Sequence, residues 1–360
     1  HGAKLVSAMQ KKAPSLFFCG MGGDALRRAG VRIVVEASEL TVVGITEVFV
    51  KIPAILKGRA KIKKLLITLK PDLLILIDFP DFNLHIAAIA KKLDIPVLYY
   101  ISPQIWAWRQ GRVKRISRLV GHMAVILPFE QRFYKEHDVP VTFVGHPLLD
   151  ENLPAAEPDM NVGPNIPTVI GLVPGSRDIE IIRHLPVMLD SANILTERLG
   201  QVTFIISQAP SVKRERIQAV IEGHHLRAKV EVISDGVAKV FERCDAIVAA
   251  SGTVTLQAAI YGIPMVIIYK VSPVSAWLGK ALIRVPNVGL VNLVAGRELV
   301  PEFLQENATG DNIARAIQNM LKDEEEFNHL KHQLITLRDM LGGGGASERV
   351  ADLALQMLTR

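Results

Sequence analysis

Short apolar runs rich in β-branched residues alternate along this chain with longer stretches whose apolar positions recur every three or four residues. The short runs predict buried strands and the periodic stretches predict amphipathic helices. After an opening helix over Gly2–Lys12, strands are expected at 16–19, 32–35, 73–77, 97–101, 123–127 and 141–144. The stretch 152–167, with Pro154, Pro158, Pro164 and Pro167 and little periodicity, reads as a linker. The alternation then restarts with a strand at 168–173, a helix at 179–199, a strand at 202–206 and a helix at 212–222. Strands at 230–233 and 246–249, a helix at 255–261 and a strand at 265–269 follow. Strand–helix alternation of this kind demands parallel sheets with crossover helices. The expected architecture is therefore α/β, with two Rossmann-like, doubly wound domains over 1–151 and 168–325 and closing helices over 326–360. Two such domains facing each other would hold a ligand in the cleft outside the carboxyl ends of their strands. Glycines at 342–345 break the closing helical region, so the last helix can swing back across the first domain or across a partner, which leaves a homodimer open.

Composition narrows the class without changing this picture. A chain of 360 residues is more than one hydrophobic core usually organises. With 49% hydrophobic and 22% charged residues it is neither collagen-like, coiled-coil nor disordered. Its two cysteines, Cys19 and Cys244, supply neither a disulfide framework nor a Cys-type zinc site and suit a reducing, cytoplasmic compartment. The formal charge of +6 is concentrated in the first half, which favours anionic ligands or surfaces. Seven basic residues and no acidic one lie between Lys51 and Lys70, and Arg109, Arg112, Lys114, Arg115 and Arg118 form a second run. Just ahead of the first run, Val48, Phe49, Ile52, Ile55 and Leu56 are apolar on almost every face, in a segment too short and interrupted to span a bilayer. A buried helix explains the apolar residues, whereas an interfacial element on an anionic membrane explains the neighbouring charge as well.

Three turns carry the candidate chemistry. The strand at 168–173 runs into Pro174-Gly175-Ser176-Arg177 and then a long helix. Free N–H groups at a helix start, a glycine, a hydroxyl and an arginine suit an anion, although a plain turn with a solvated arginine fits the same residues. A second turn on the same sheet edge holds Ser251-Gly252-Thr253, with Gln257 one helical turn further on and able to reach ribose hydroxyls. Two such loops together point to a nucleoside diphosphate. In the first domain the run 73–77 ends in Asp78-Phe79-Pro80-Asp81, where a general base would sit, or where an aspartate caps the next helix. Trp106 and Trp108 adjoin the second basic run and could stack bases, bind sugars or sit at a lipid interface, with core packing the plainer reading for Trp106. The spacing offers no metal-ligand set, no G-x-S-x-G elbow and no dinucleotide fingerprint, so neither metal nor cofactor is expected.

Taken together, these phrases resemble the lipid-A-disaccharide synthase family. The resemblance is carried in order by 77–83, by 101–103 with Trp106-Ala107-Trp108-Arg109, by Leu127-Pro128-Phe129-Glu130, and by Val144-Gly145-His146-Pro147. It continues through Pro174-Gly175-Ser176-Arg177, Ser251-Gly252-Thr253 and Asn292-Leu293 with Gly296-Arg297-Glu298. It implies a GT-B fold and a peripheral enzyme on the inner face of the inner membrane of Gram-negative bacteria. That enzyme transfers 2,3-diacylglucosamine from its UDP donor to 2,3-diacylglucosamine 1-phosphate, without nucleic acid as a partner. It also implies Asp78 as the catalytic base and Arg177 and Asn292 at the UDP site; Asn292 has no independent signal in the spacing. Two departures stand out. The family begins with a strand and a Gly-Glu-x-Ser-Gly-Asp loop just before the position of His1, and a molecule without them would lose a central strand, part of the acceptor side and, with these, the basis for activity. Gln257 stands where relatives commonly carry Glu, so it can bond a hydroxyl but not as a charged acceptor. The rival expectations are a soluble sugar-nucleotide enzyme such as a UDP-N-acetylglucosamine epimerase, which would lack lipid affinity, and a noncatalytic nucleic-acid-binding protein, whose binding would fall steeply with salt.

Overall fold

The structure, a computed structural model, describes residues 1–39, 45–150, 168–272 and 285–359, with the backbone alone at 39 and 45–51. The expected linker 152–167 lies outside the described residues. The chain forms two compact units, His1–Asn152 with Leu341–Arg360, and Leu153–Met340.

In the first unit β1 (Cys19–Gly22) pairs in parallel with β2 (Arg32–Glu36). A separate parallel sheet runs β3 (Leu74–Ile77), β4 (Val97–Tyr100), β5 (His122–Val125), β6 (Val141–Phe143) in sequence order. Leu74 lies opposite Val97, Leu98 opposite His122 and Met123 opposite Val141. The strand expected at 16–19 forms three residues later. Leu16 and Phe18 owe their apolar character to packing from a loop onto the cluster built by Leu5, Met9, Leu98 and Tyr100. Successive residues of β4 point to opposite faces, Leu98 and Tyr100 into that cluster and Val97 and Tyr99 into a second one with Ile62, Leu66, Phe82 and Met123. Helices cover both faces, which is why β4 is buried at every position.

The last helix, Ala346–Leu358, completes the first cluster with Val350, Ala351 and Ala354. Its amino end is capped by Asp150, whose carboxylate accepts from the N–H groups of Gly345 (2.7 Å), Ala346 (2.9 Å) and Ser347 (3.1 Å) and from the Ser347 hydroxyl (2.9 Å). Burial pushes the Asp150 pKa up, but these bonds outweigh it and hold the group below its ordinary value. Arg349 donates to the Val144 carbonyl at 2.8 Å, and Gly145, at φ +81°, leaves no room there for a Cβ.

The second unit is one parallel sheet in the order β12-β11-β10-β7-β8-β9. The strands are β7 (Thr168–Val173), β8 (Val202–Ser207), β9 (Val230–Ile233), β10 (Ala246–Ala250), β11 (Met265–Tyr269) and β12 (Glu302–Leu304). The strand order reverses between β7 and β10, the topological switch point at which doubly wound sheets bind ligands. β12 had no apolar run to announce it; three residues long and paired through Ile267 opposite Glu302, it closes the edge of the sheet.

Candidate active site

At the switch point of the second unit the loops after β7 and β10 leave adjacent strands, with Val173 opposite Ala249. Gly175 takes φ +124°, and a Cβ there would fall 2.4 Å from Glu180 Oε2. The tight approach lets Ser176 N–H donate to Glu180 Oε2 (2.7 Å), while Arg177 Nη1 donates to Glu180 Oε1 (2.8 Å). The loop therefore holds an anion already, a carboxylate from the first turn of its own helix, Asp178–Leu199. The Ser211 hydroxyl braces the loop from outside by donating to the Ser176 carbonyl (2.6 Å). In the second loop the Ser251 hydroxyl donates to the Val288 carbonyl (3.3 Å), Gly252 precedes the helix Thr253–Ile260, and Gln257 lies half-buried on that helix.

Two residues that the sequence did not single out fix these loops. His184 is buried; its Nδ1 meets the Pro174 carbonyl at 2.9 Å and its Nε2 accepts from Lys270 N–H at 3.1 Å, joining the end of β7 to the end of β11. Those partners require the neutral ring with its proton on Nδ1, and burial pushes its pKa down accordingly. Glu302 accepts from Val288 N–H (2.8 Å), Gly289 N–H (2.9 Å) and the Asn292 amide (2.7 Å). Asn292 is fully buried, and its amide also donates to the Val300 carbonyl (2.8 Å) and accepts from Leu299 (2.8 Å) and Val300 (3.0 Å). A lone histidine on an apolar helix face and a lone glutamate carry no motif, so only the fold reveals them.

In the first unit β3 delivers Asp78 to the carboxyl edge of its sheet. Asp78 (φ +46°) and Phe79 (φ +45°) are consecutive left-handed residues, and Ile101 (φ +61°) ends β4 in the same conformation. Each costs on the order of 1–2 kcal/mol for a residue with a Cβ. Buried donors hold the turn: Asn83 Nδ2 donates to the carbonyls of Ile77 (3.1 Å) and Asp78 (2.6 Å), and the Tyr99 hydroxyl donates to the Asp78 carbonyl (2.6 Å). Phe79, not Asp78, occupies the N-cap position of the helix Pro80–Lys92, and no side chain caps that end. The Asp78 residue is exposed at the edge, yet the surrounding protein removes enough solvation to push its pKa up, against a lowering hydrogen bond from Phe79 N–H.

The segment after β4 is pinned by Glu130. This buried carboxylate accepts from the Ser102 hydroxyl (2.5 Å), Trp106 Nε1 (3.0 Å) and Leu127 N–H (3.1 Å), and burial pushes its pKa up to about 7. Trp106 packs edge-on to Phe129 at 4.8 Å, as a core residue. Trp108 is 41% exposed, with the Arg109 guanidinium 4.0 Å above its ring. On the helix Ile45–Leu69, Gly58, Ile62 and Leu66 form a buried stripe while Lys57, Arg59, Lys61, Lys63 and Lys64 are exposed. Ile52 and Leu56 are exposed at 42% and 53%, and Ile55 is half-buried against the core. The side chains of Val48 and Phe49 lie outside the described residues. Among the described residues no helix is long and apolar enough to cross a membrane.

A family model described as lipid-A-disaccharide synthetase matches residues 1–354. The lipid-A-disaccharide synthase of Geobacter metallireducens is 47% identical over 99% of this chain and 94% of its own length. That of Nitrosococcus oceani is 41% identical over 99% and 93%. Among solved structures the UDP complex of S. aureus MnaA is similar with a TM-score of 0.62 at 14% identity, covering 99% of this chain and 94% of that one. Acinetobacter baumannii MurG is similar with a TM-score of 0.59 at 16% identity, over 99% and 95%. Likeness at such identities shows the fold alone and does not separate epimerases from glycosyltransferases; the sequence relatives make that separation.

Proposed function

Because the chain belongs to the lipid-A-disaccharide synthase family, and is thus a GT-B hexosyltransferase of lipid A biosynthesis, we propose that it transfers 2,3-diacylglucosamine from its UDP donor to 2,3-diacylglucosamine 1-phosphate, with Asp78 as the base. The observation that carries this reading is the strained turn at 78–79, whose buried braces leave the Asp78 carboxylate at the sheet edge instead of spending it on a helix cap. Asp78 takes the proton of the acceptor 6-hydroxyl as that oxygen attacks the anomeric carbon. The bond from this carbon to the diphosphate breaks, the electron pair leaves with UDP, and the configuration inverts to a β-1,6 link. On the donor side Ser176 N–H and Arg177 exchange the Glu180 carboxylate for the diphosphate, with Gly175 allowing the approach and Ser251, Gly252, Thr253 and Gln257 supplying the neighbouring loop. Asn292 and Glu302 hold the segment 288–300 beside it. Exposed Ile52 and Leu56, with Val48 and Phe49 on the same helix and lysines and arginines following, suit an anionic bilayer surface from which both lipids are drawn, whereas Ile55 turns toward the core. The enzyme then works peripherally, on the inner face of the inner membrane.

Asp78→Asn preserves shape and removes the basic oxygen. Disaccharide formation should fall about 100-fold or more while UDP binds as before. Near-normal turnover in the folded variant would move the base elsewhere, with Asp81 next in line.

A further inference from the structure

We propose that Arg109 and Arg112 form the subsite for the phosphate monoester carried by the acceptor lipid, an inference that rests on the transfer reading above. Of the second basic run, these two side chains turn toward the end of β3. Arg112 Nη2 lies 2.5 Å from Asp81 Oδ1, and Arg109 Nη1 lies 3.8 Å from the same oxygen. Arg115 points away and donates to the Leu84 carbonyl at 3.2 Å. Asp81 sits three residues after Asp78, so the pair of guanidinium groups stands beside the turn that presents the base.

The charge balance favours an added anion. One carboxylate faces two guanidinium groups, and each of these has five N–H donors of which Asp81 occupies few. A phosphate monoester brings close to two negative charges and three acceptor oxygens, which two arginines match and one does not. The Arg109 guanidinium carbon lies 4.0 Å from the Trp108 ring centroid, so the ring supports this cation from one side. The supporting segment is fixed, through the contacts of Ser102 and Trp106 with buried Glu130 and through Gln110 Nε2, which donates to the Trp106 carbonyl at 3.0 Å. The backbone that carries the two cations is thereby set before a ligand arrives. An ordinary surface ion pair would require neither the second arginine nor a buried carboxylate beneath the loop.

The chemistry gives the subsite a purpose. Donor and acceptor carry the same acylated sugar and differ at the anomeric position, a nucleotide diphosphate on one and a phosphate monoester on the other. A pair of arginines next to the base selects which lipid offers its hydroxyl.

The test compares the wild type with Arg109→Gln, Arg112→Gln and the double variant in neutral detergent micelles. It measures kcat and KM for the 1-phosphorylated acceptor and for the same lipid without its phosphate, with calorimetric UDP binding as the check on folding. The wild type should prefer the phosphorylated acceptor about 100-fold, and in the double variant that preference should shrink to a few-fold through KM. Arg112→Lys should recover part of it. An undiminished preference in a double variant that still binds UDP overturns the subsite. Flotation on phosphatidylglycerol and phosphatidylcholine vesicles separates the two sources of phosphate. If the double variant loses phosphatidylglycerol binding but keeps its acceptor preference, the arginines read bilayer headgroups and the proposal falls. Binding of the phosphorylated lipid in micelles without donor separates the subsite from the transfer reading. Arginine-dependent binding by a wild type that forms no disaccharide keeps the subsite and removes the reading, whereas transfer indifferent to both arginines does the reverse.

Discussion

Glu180 occupies the place in the β7 loop that a diphosphate would need, gripping the same N–H and the same guanidinium. Any anion entering there displaces a carboxylate of like charge. Glu180→Gln should therefore tighten UDP binding, by about threefold, because a half-exposed ion pair is worth less than about 1 kcal/mol. Calorimetry at rising salt checks both the gain and its electrostatic origin, since screening should shrink it; weaker binding in the variant would show that Glu180 serves the ligand instead. The sequence made Gly175, Ser176 and Arg177 legible, since a strand, a glycine, a hydroxyl and an arginine ahead of a helix form a recognisable anion loop. Glu180 was hidden among them. An acid in a first helical turn is favourable to the helix dipole in any protein, so its type and position carry no special signal.

The helix Ile45–Leu69 separates two roles that its sequence blurred. Its buried stripe through Gly58, Ile62 and Leu66 is a core contact, whereas Ile52 and Leu56 stand in solvent. Changing Ile52 and Leu56 together to Ser should weaken flotation on anionic liposomes and leave the thermal midpoint within a degree or two, because little buried area is lost. Ile55→Ser should instead lower the midpoint, since that side chain packs against the core cluster. A melting transition that collapses in the Ile52/Leu56 variant would assign both residues to the core. The strands of the second unit were legible within a residue or so because parallel strands buried on both faces are unbroken apolar runs. Legibility failed where that rule does not apply. Leu16 and Phe18 are apolar because a loop covers the core, and Glu302–Leu304 is a strand by edge pairing alone.

Across the whole molecule the two ends of the first unit's sequence meet around His146. Its N–H donates to the Leu341 carbonyl (2.8 Å), its Nδ1 accepts from Leu148 N–H (3.2 Å), and burial pushes its pKa down to about 4 despite the nearby Asp150. An unfolded histidine titrates near 6.5. As pH falls from about 6.5 toward 4, the unfolded chain binds a proton that the folded chain refuses, so stability present above that window is lost within it, on the order of 3 kcal/mol. Glu130 acts in the opposite sense, because its raised pKa lets the folded state keep a proton that the unfolded state releases between about 4.5 and 7. Urea melts of His146→Gln at pH 7, 6 and 5 should show a stability that declines less with acidity than that of the wild type; parallel declines would remove His146 from the account. The cap that Asp150 places on the helix Ala346–Leu358 reaches across 195 residues of chain from Gly345, and all of the second unit lies inside that span. On a ribosome, which releases the chain from its amino end, the second unit emerges whole and can fold as soon as Met340 is clear. The first unit was begun earlier, but Leu98 and Tyr100 keep only the part of their cover that Leu5 and Met9 provide until the helix Ala346–Leu358 arrives. The unit begun earlier is thus completed after the later one, and part of its apolar face waits for a helix that follows the whole second unit.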